Sequence, residues 1–426
     1  MSSDSENEYT TRAWLVIFGA FTCLFCTVGF LNSFGVFEDY YATAQLAHES
    51  QSTIGWLGAM AIFFLFSIST IAGAMLDIFG PKLMIWTGSV GTVFAIMMTS
   101  LCKEFYQFLL AQGILLGISM ALATWPALAL VGQYIKKKRA AAMGIVLAGS
   151  SLGGIIWPVA IDQLLKRPDI GFPWTMRIVG FIMIPLFAFS CVVCKSPPKA
   201  HIPMDVDPEN DITGNDTSGE SAPEKKVDHK QEAITLFRQP SMQLLCLAMF
   251  ITYFGMFAPF FYTTSYAVAK GFSTTLAFYT VSIVNGASFF GRIIPGILAD
   301  RFGRFNCCIV STLSAGIIAF CWTSVDSVPG LVIWCAAYGF ASGGILSLQQ
   351  ACAAQVATPS TFGLAIGGVA GSTAFSAMAN VPISGALVER YGYLSLSIFS
   401  GVALLLGGML LIIARLVQNK KLSAII

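Results

Sequence analysis

Arg292 lies inside an otherwise apolar stretch and is the residue of this sequence best equipped for chemistry. It precedes Asp300 by eight residues, about 12 Å along a helix. That sets its guanidinium well inside any bilayer the stretch would cross. Charges at such depth cost free energy, turn toward the protein interior and mark ligand or ion pathways. A guanidinium grips a carboxylate through two parallel hydrogen bonds, so the chemistry offered is recognition of an anion. Asn285 and Ser288 stand seven and four residues earlier, on the same helical face, and extend the arginine into a polar stripe. The competing assignment is an arginine that pins its helix to a neighbouring carbonyl or acid. Asn32, Trp125, Tyr253, Phe257, Tyr262, Gln349, Gln350 and Asn380 also fall within apolar runs. Each reads as a cavity lining or as a helix-packing contact.

A second constellation occurs twice. Gly73-Ala-Met-Leu-Asp77-Ile-Phe-Gly80-Pro-Lys82 and Gly296-Ile-Leu-Ala-Asp300-Arg301-Phe-Gly303-Arg304 share the frame G-x-x-x-D-x-x-G, each after a long apolar run. An Asp ending one helix, with a basic residue in the next turn, can tie neighbouring helices together at one membrane face and release them as two bundles rock. Met143-Gly-Ile-Val-Leu-Ala-Gly149 echoes Phe362-Gly-Leu-Ala-Ile-Gly-Gly368, and Gly113-x-x-x-Gly117 echoes Gly339-x-x-x-Gly343. Repeats at a common offset point to a duplicated gene, the way many transporters are built.

The elements that must position these residues are membrane helices. The chain is 56% hydrophobic and 11% charged, with mean hydropathy +0.73. Soluble domains carry about 25% charged residues, so a water-soluble fold is excluded. About 20 apolar residues cross a hydrocarbon core as a helix, and about twelve such runs can be marked, the first over 14–37 and the last two over 361–386 and 393–417. The sequence thus predicts an all-α membrane protein of twelve transmembrane helices in two six-helix, pseudo-symmetric bundles. Residues 1–12 form a tail, 13–195 the first bundle, 196–238 a linker, 239–417 the second bundle and 418–426 a second tail. The linker is rich in Asp, Glu, Lys, Ser and Pro and reads as disordered.

Most Lys and Arg, including Lys136-Lys-Lys-Arg139, Arg301, Arg304, Lys420 and Lys421, fall on one side of this topology. The positive-inside rule makes that side cytoplasmic, with both termini and both G-x-x-x-D frames there. The glycosylation frame Asn215-Asp-Thr217 in the linker should then stay unmodified. Met1 to Thr11 is polar and acidic, unlike a cleaved signal peptide.

Other frames carry less. Gly149-Ser-Ser151-Leu-Gly153 fits a serine-hydrolase elbow, which needs a strand-to-helix turn and His and Asp partners. Here it lies in an unbroken apolar run, where small residues let helices approach. Cys23-x-x-Cys26 and Cys191-x-x-Cys194 have metal or redox spacing but no clustered His, so no metal site and no disulfide framework is expected. No Walker motif, cofactor motif or nucleic-acid-binding surface is found. The energy source is then an ion gradient, with protons as the candidate ion, or the substrate's own gradient.

Gly296, Asp300, Arg301, Gly303 and Arg304 resemble the loop motif of the major facilitator superfamily. The first copy, at Gly73, Asp77, Gly80 and Lys82, is degenerate, with Ile78 where Arg is usual. A narrower resemblance is to the monocarboxylate porters of that superfamily. It rests on Tyr134 to Gly154, on Ala13-Trp14 through Asn32-Ser33-Phe34-Gly35-Val36-Phe37, similar to the fungal branch, and on Ser288-Phe-Phe-Gly-Arg292 through Asn306. The chain departs from that family in three places. The acidic-Gly opening before the first helix is missing, Asn32 replaces a Lys, and Ser288 replaces an Asp four residues before the helix-eight arginine. The resemblance implies a secondary transporter for a small organic anion; a monomer is expected, with the plasma membrane as the default and a vacuolar or other internal membrane as the alternative. Export of a secondary metabolite or vitamin transport fits the same scaffold. A non-transporting nutrient sensor is the expectation of another class, and no catalytic group is assembled for an enzyme.

Overall fold

The structure is a computed structural model that describes residues 9–196 and 229–420. Two of its helices show how local sequence sets the architecture. Gln51–Phe79 and Thr274–Phe302 are both 29 residues long. Each starts at a serine N-cap, where Ser50 and Ser273 accept the backbone N–H of Thr53 and Leu276. Each stops at the last glycine of its G-x-x-x-D-x-x-G frame. Gly80 has φ 78° and Gly303 has φ 98°, a region open to glycine and costly for other residues. The duplicated frame is therefore, at one end, a duplicated helix stop.

Around them the spanning elements run in order. They are α1 (Thr11–Gln45), α2 (Gln51–Phe79), α3 (Pro81–Thr99), α4 (Phe105–Tyr134), α5 (Arg139–Leu165) and α6 (Gly171–Val193), then α7 (Pro240–Ala269), α8 (Thr274–Phe302), α9 (Arg304–Phe320) and α10 (Val328–Val356). The run Pro359–Gln418 is 60 residues long and leaves helical geometry at Gly392, φ 76°. Phe375 packs on Phe63 and Tyr262 reaches Val381, whereas further on Ser397 bonds Ala319 and Arg415 bonds Asn306. The chain thus turns back at Gly392, giving α11 (362–391) and α12 (393–418). Ten helices among the described residues are long and apolar enough to cross a membrane. With α9 added and the last run split, they make the twelve segments expected.

Small residues set the distances between helices. A Cβ on Gly117 of α4 would lie 2.7 Å from the Ala61 carbonyl of α2. One on Gly343 of α10 would lie 2.7 Å from the Ser288 carbonyl of α8. Both spacings forbid any side chain, and they occur at matching places in the two halves. Gly149 and Gly153 seat α5 on α1 against the Phe21 and Phe25 carbonyls. The hydrolase-like frame is a helix-packing surface.

Three expectations change. The first helix does not end near residue 37 but continues, through breaks at Thr27 and Ser33 and a π turn at Tyr41–Gln45, to Gln45. The stretch read as linker through Arg238 contains a helix, His229–Arg238. Its Leu236 is buried and its Phe237 ring rests on Gly368, so apolar anchoring overrides the polar composition. The rest of the linker, with Asn215, lies outside the described residues. Ser288 belongs to the α8–α10 packing, as its contact with Gly343 shows. At the face opposite the two motifs, Lys270 donates to Asp326 at 2.5 Å, and that bond raises the ammonium above its ordinary pKa.

Candidate functional site

The two Asp residues of the repeated frames do the same thing in the two halves. Asp77, at the end of α2, accepts the backbone N–H groups of Gly363 and Leu364, both at 2.9 Å. Asp300, at the end of α8, accepts those of Ala140 and Ala141 at 3.0 and 2.9 Å. In each case a carboxylate from one half caps the first turn of a helix in the other half, α11 and α5 respectively. The free N–H groups and dipole of a helix start favour an anion there. The first glycine of each frame has its own reason. A Cβ on Gly296 would lie 2.7 Å from the Ala140 carbonyl, and one on Gly73 would strike the Gly363 carbonyl.

The sequence anticipated a tie made by an Asp and a basic residue, and the geometry differs. Arg304 lies 3.8 Å from Asp300 and supports it, but backbone N–H groups across the interface are the main partners. Arg139 adds a contact that the motif did not reveal. Its guanidinium donates to the Ala354 carbonyl at 3.1 Å and sits 4.7 Å over the Phe362 ring. Ser69 and Thr70 donate to the Gly367 carbonyl at 2.7 and 3.2 Å. Together these contacts seal the motif face between α2 and α11 and between α5 and α8.

Behind the seal lies a cavity of about 770 Å³ between the halves, lined by residues from both. Its lining runs to Glu38, Trp56, Ser265, Glu389 and Tyr393 at the opposite face. At the sealed end stands Arg292, 3% exposed. It donates to the Leu147 carbonyl of α5 at 2.6 Å and to the Ser150 hydroxyl, while its Nε has no partner. The arginine therefore pins α8 to α5 and also borders the cavity. Tyr253 packs on Phe66, which packs on Trp125, and Gln349 donates to the Tyr253 hydroxyl at 2.6 Å. Trp125 in turn donates to the Leu65 carbonyl at 2.8 Å. Asn285 and Asn32 meet over Gly154, where a Cβ would lie 2.7 Å from the first and 2.9 Å from the second.

Of the residues singled out from sequence, Arg292, Asn285, Asn32, Trp125, Tyr253, Phe257, Tyr262, Gln349 and Gln350 line this cavity. Ser288 and Asn380 do not. Ser288 faces α10, and Asn380 donates to the Phe254 carbonyl, so both tie helices together. Sequence reasoning missed Glu38, Asp39 and Glu389, which line the outer part of the cavity. The first two were assigned to a loop because the continuation of α1 past Phe37 was not seen. A Glu-Asp pair directly after an Asn-Ser break and an aromatic helix was the available signal.

Comparison with known proteins agrees with this architecture. The profile of the Major Facilitator Superfamily matches residues 13–328 and 293–425. An MFS-type transporter of Aspergillus fumigatus is 43% identical over 420 residues, covering 99% of this chain and 96% of that protein. The agnestins efflux protein of Paecilomyces divaricatus is 41% identical over 415 residues, 97% of this chain and 90% of that one. The aspyridones efflux protein of Emericella nidulans is 40% identical over 409 residues, 96% and 78%. Among solved structures, a human organic anion transporter superposes with TM-score 0.67 at 18% identity, over 94% of this chain and 99% of the other. The family profile, the relatives that span the chain and the paired carboxylate caps converge, and the chain belongs to the Major Facilitator Superfamily of membrane transporters.

Proposed function

We propose that this transporter exports a mid-sized, largely apolar metabolite bearing one acidic or strongly accepting oxygen group. The observation that carries the proposal is the cavity. Cavities of roughly 300–1,000 Å³ hold drug-sized ligands, and this one, about 770 Å³, is walled by Trp125, Tyr253, Phe257 and Tyr262. A lactate-sized acid would leave most of it unfilled. Arg292 supplies the positive charge that suits an oxygen anion, which keeps the anionic part of the monocarboxylate-porter reading while enlarging the substrate. Two relatives are named as efflux proteins, one of agnestins and one of aspyridones, and export is the direction they favour. Glu38, Asp39 and Glu389 border the cavity and are the acids through which a proton gradient would couple.

The motif face is cytoplasmic in this proposal, with both termini beside it, and the membrane is the plasma membrane. Each chain encloses its cavity between its own halves, so one copy suffices. The test compares intracellular and secreted metabolites in producing cells with and without the protein, beside lactate uptake into proteoliposomes. Export predicts that one group of apolar metabolites is retained when the protein is removed, with no lactate flux. Gradient-driven lactate accumulation with an unchanged secreted profile would replace it with a monocarboxylate porter.

A further inference from the structure

The sealed end of the cavity keeps polar atoms that the protein leaves unpaired. Gln350 is 1% exposed, and neither its Nε2 nor its Oε1 has a hydrogen-bond partner. Among the buried unpartnered atoms of the described residues, it is the one carboxamide whose donor and acceptor ends are both idle. Exchanging the two ends of the amide does not alter this. Its neighbour Gln349 has an unpartnered Oε1, Arg292 an unpartnered Nε, and all three residues line the cavity. A buried polar atom without a partner costs about 1–3 kcal/mol, and native proteins keep few of them. Unpaired atoms on cavity-lining side chains have a direct explanation if their partners arrive with the ligand.

We infer that Gln350 is a specificity-determining residue for a ligand head group that sets a hydrogen-bond donor beside an acceptor on one edge, such as a secondary lactam. This rests on the export reading and narrows it. A primary amide with both ends idle is complementary to another donor–acceptor edge, as in a paired amide dimer. A plain carboxylate offers no donor and would leave Gln350 Oε1 unpaired. Arg292, a lining residue with an idle Nε, favours a group whose oxygen carries partial negative charge, which a conjugated lactam provides. The aromatic wall of Phe66, Trp125, Tyr253 and Phe257 suits a flat, conjugated body attached to that edge. Sites built to pair a donor discriminate strongly against an analogue that lacks it, because their own groups are then left buried and unpaired.

Binding of 2-quinolone and 1-methyl-2-quinolone to the full chain in nanodiscs, followed by tryptophan fluorescence, tests this. The methyl group removes the donor and leaves the acceptor and aromatic body. The wild-type protein is expected to prefer the unmethylated compound by roughly ten-fold or more, about 1.4 kcal/mol. Gln350→Leu should bind the two alike, and Gln350→Met gives the same comparison if the leucine variant does not fold. Equal binding by the wild type overturns the inference, as does a preference that survives in the folded variants. Binding of neither compound overturns it too. The metabolite comparison above then decides independently whether export itself stands, since it does not depend on which head group is recognised.

Discussion

Arg292 commits one nitrogen to α5, through the Leu147 carbonyl and the Ser150 hydroxyl, and leaves Nε idle at the cavity. Substitution can separate these two roles. Hydrogen bonds from a charged group contribute about 1.5–3 kcal/mol, so losing one to the substrate should lower transport by roughly ten-fold or more. Arg292→Ala is expected to lose transport to that extent and still reach the membrane folded, because glycine-paced packing against α5 remains at Gly144 and Gly296. Arg292→Lys keeps the charge without the planar fork and should fall between the two. Transport rate and melting temperature measured on the same preparations decide. An alanine variant that transports normally but melts early would make the arginine a pin alone. This residue was legible because a lone charge in an apolar run needs no knowledge of the fold. Ser288 and Asn380 could not be placed from sequence for the converse reason: a Ser or Asn serves helix packing as readily as a cavity, and only the facing helix, α10 for Ser288 and α7 for Asn380, tells which.

At the scale of elements, the repeated frame could be seen in sequence but its partner could not. The glycines and the Asp act locally, as helix stop, close contact and cap, so their spacing survives in the string of residues. Asp77 finds Gly363 and Asp300 finds Ala140 only because two halves distant in sequence meet, which no local pattern records. The same limit hid Glu38 and Asp39, whose placement depends on α1 continuing past two breaks. The caps should hold the motif face closed. Replacing a helix cap by alanine costs about 0.5–2 kcal/mol, whereas Asn keeps one acceptor oxygen and loses the charge at the helix start, about 0.3–1 kcal/mol. Asp77→Asn and Asp300→Asn should each shift the population toward states open at the motif face, and the double variant further, by roughly the sum of the two. Spin-label distances between α2 and α11 and between α5 and α8 at that face would widen. Gly73→Ala should act in the same direction by pushing against the Gly363 carbonyl. Unchanged distances in the double variant would mean that side-chain contacts such as Arg139 on Phe362, and not the caps, hold the face closed.

For the whole molecule, the two halves share their helix stops, their glycine contacts and their caps, and the cavity lies between them. Here the motif face is sealed and the lining extends to the opposite face. The proposed orientation, with the motif face cytoplasmic, rests on the uneven Lys and Arg distribution, and a native thiol can test it. Of the eleven cysteines, Cys321 is the one exposed. It stands at the end of α9 beside Trp322, which packs on Tyr266 near the Lys270–Asp326 pair at the face opposite the motifs. A membrane-impermeant maleimide added to intact, wall-stripped cells should therefore label the protein, and Cys321→Ser should abolish the signal. The other cysteines are buried or half-buried, in helices or, for Cys102 and Cys194, past the ends of α3 and α6, and should not react on the same timescale. Labelling of Cys321 only after permeabilisation would place that face in the cytoplasm or inside an organelle. The orientation would then have to be redrawn, while the metabolite comparison would still decide between export and uptake.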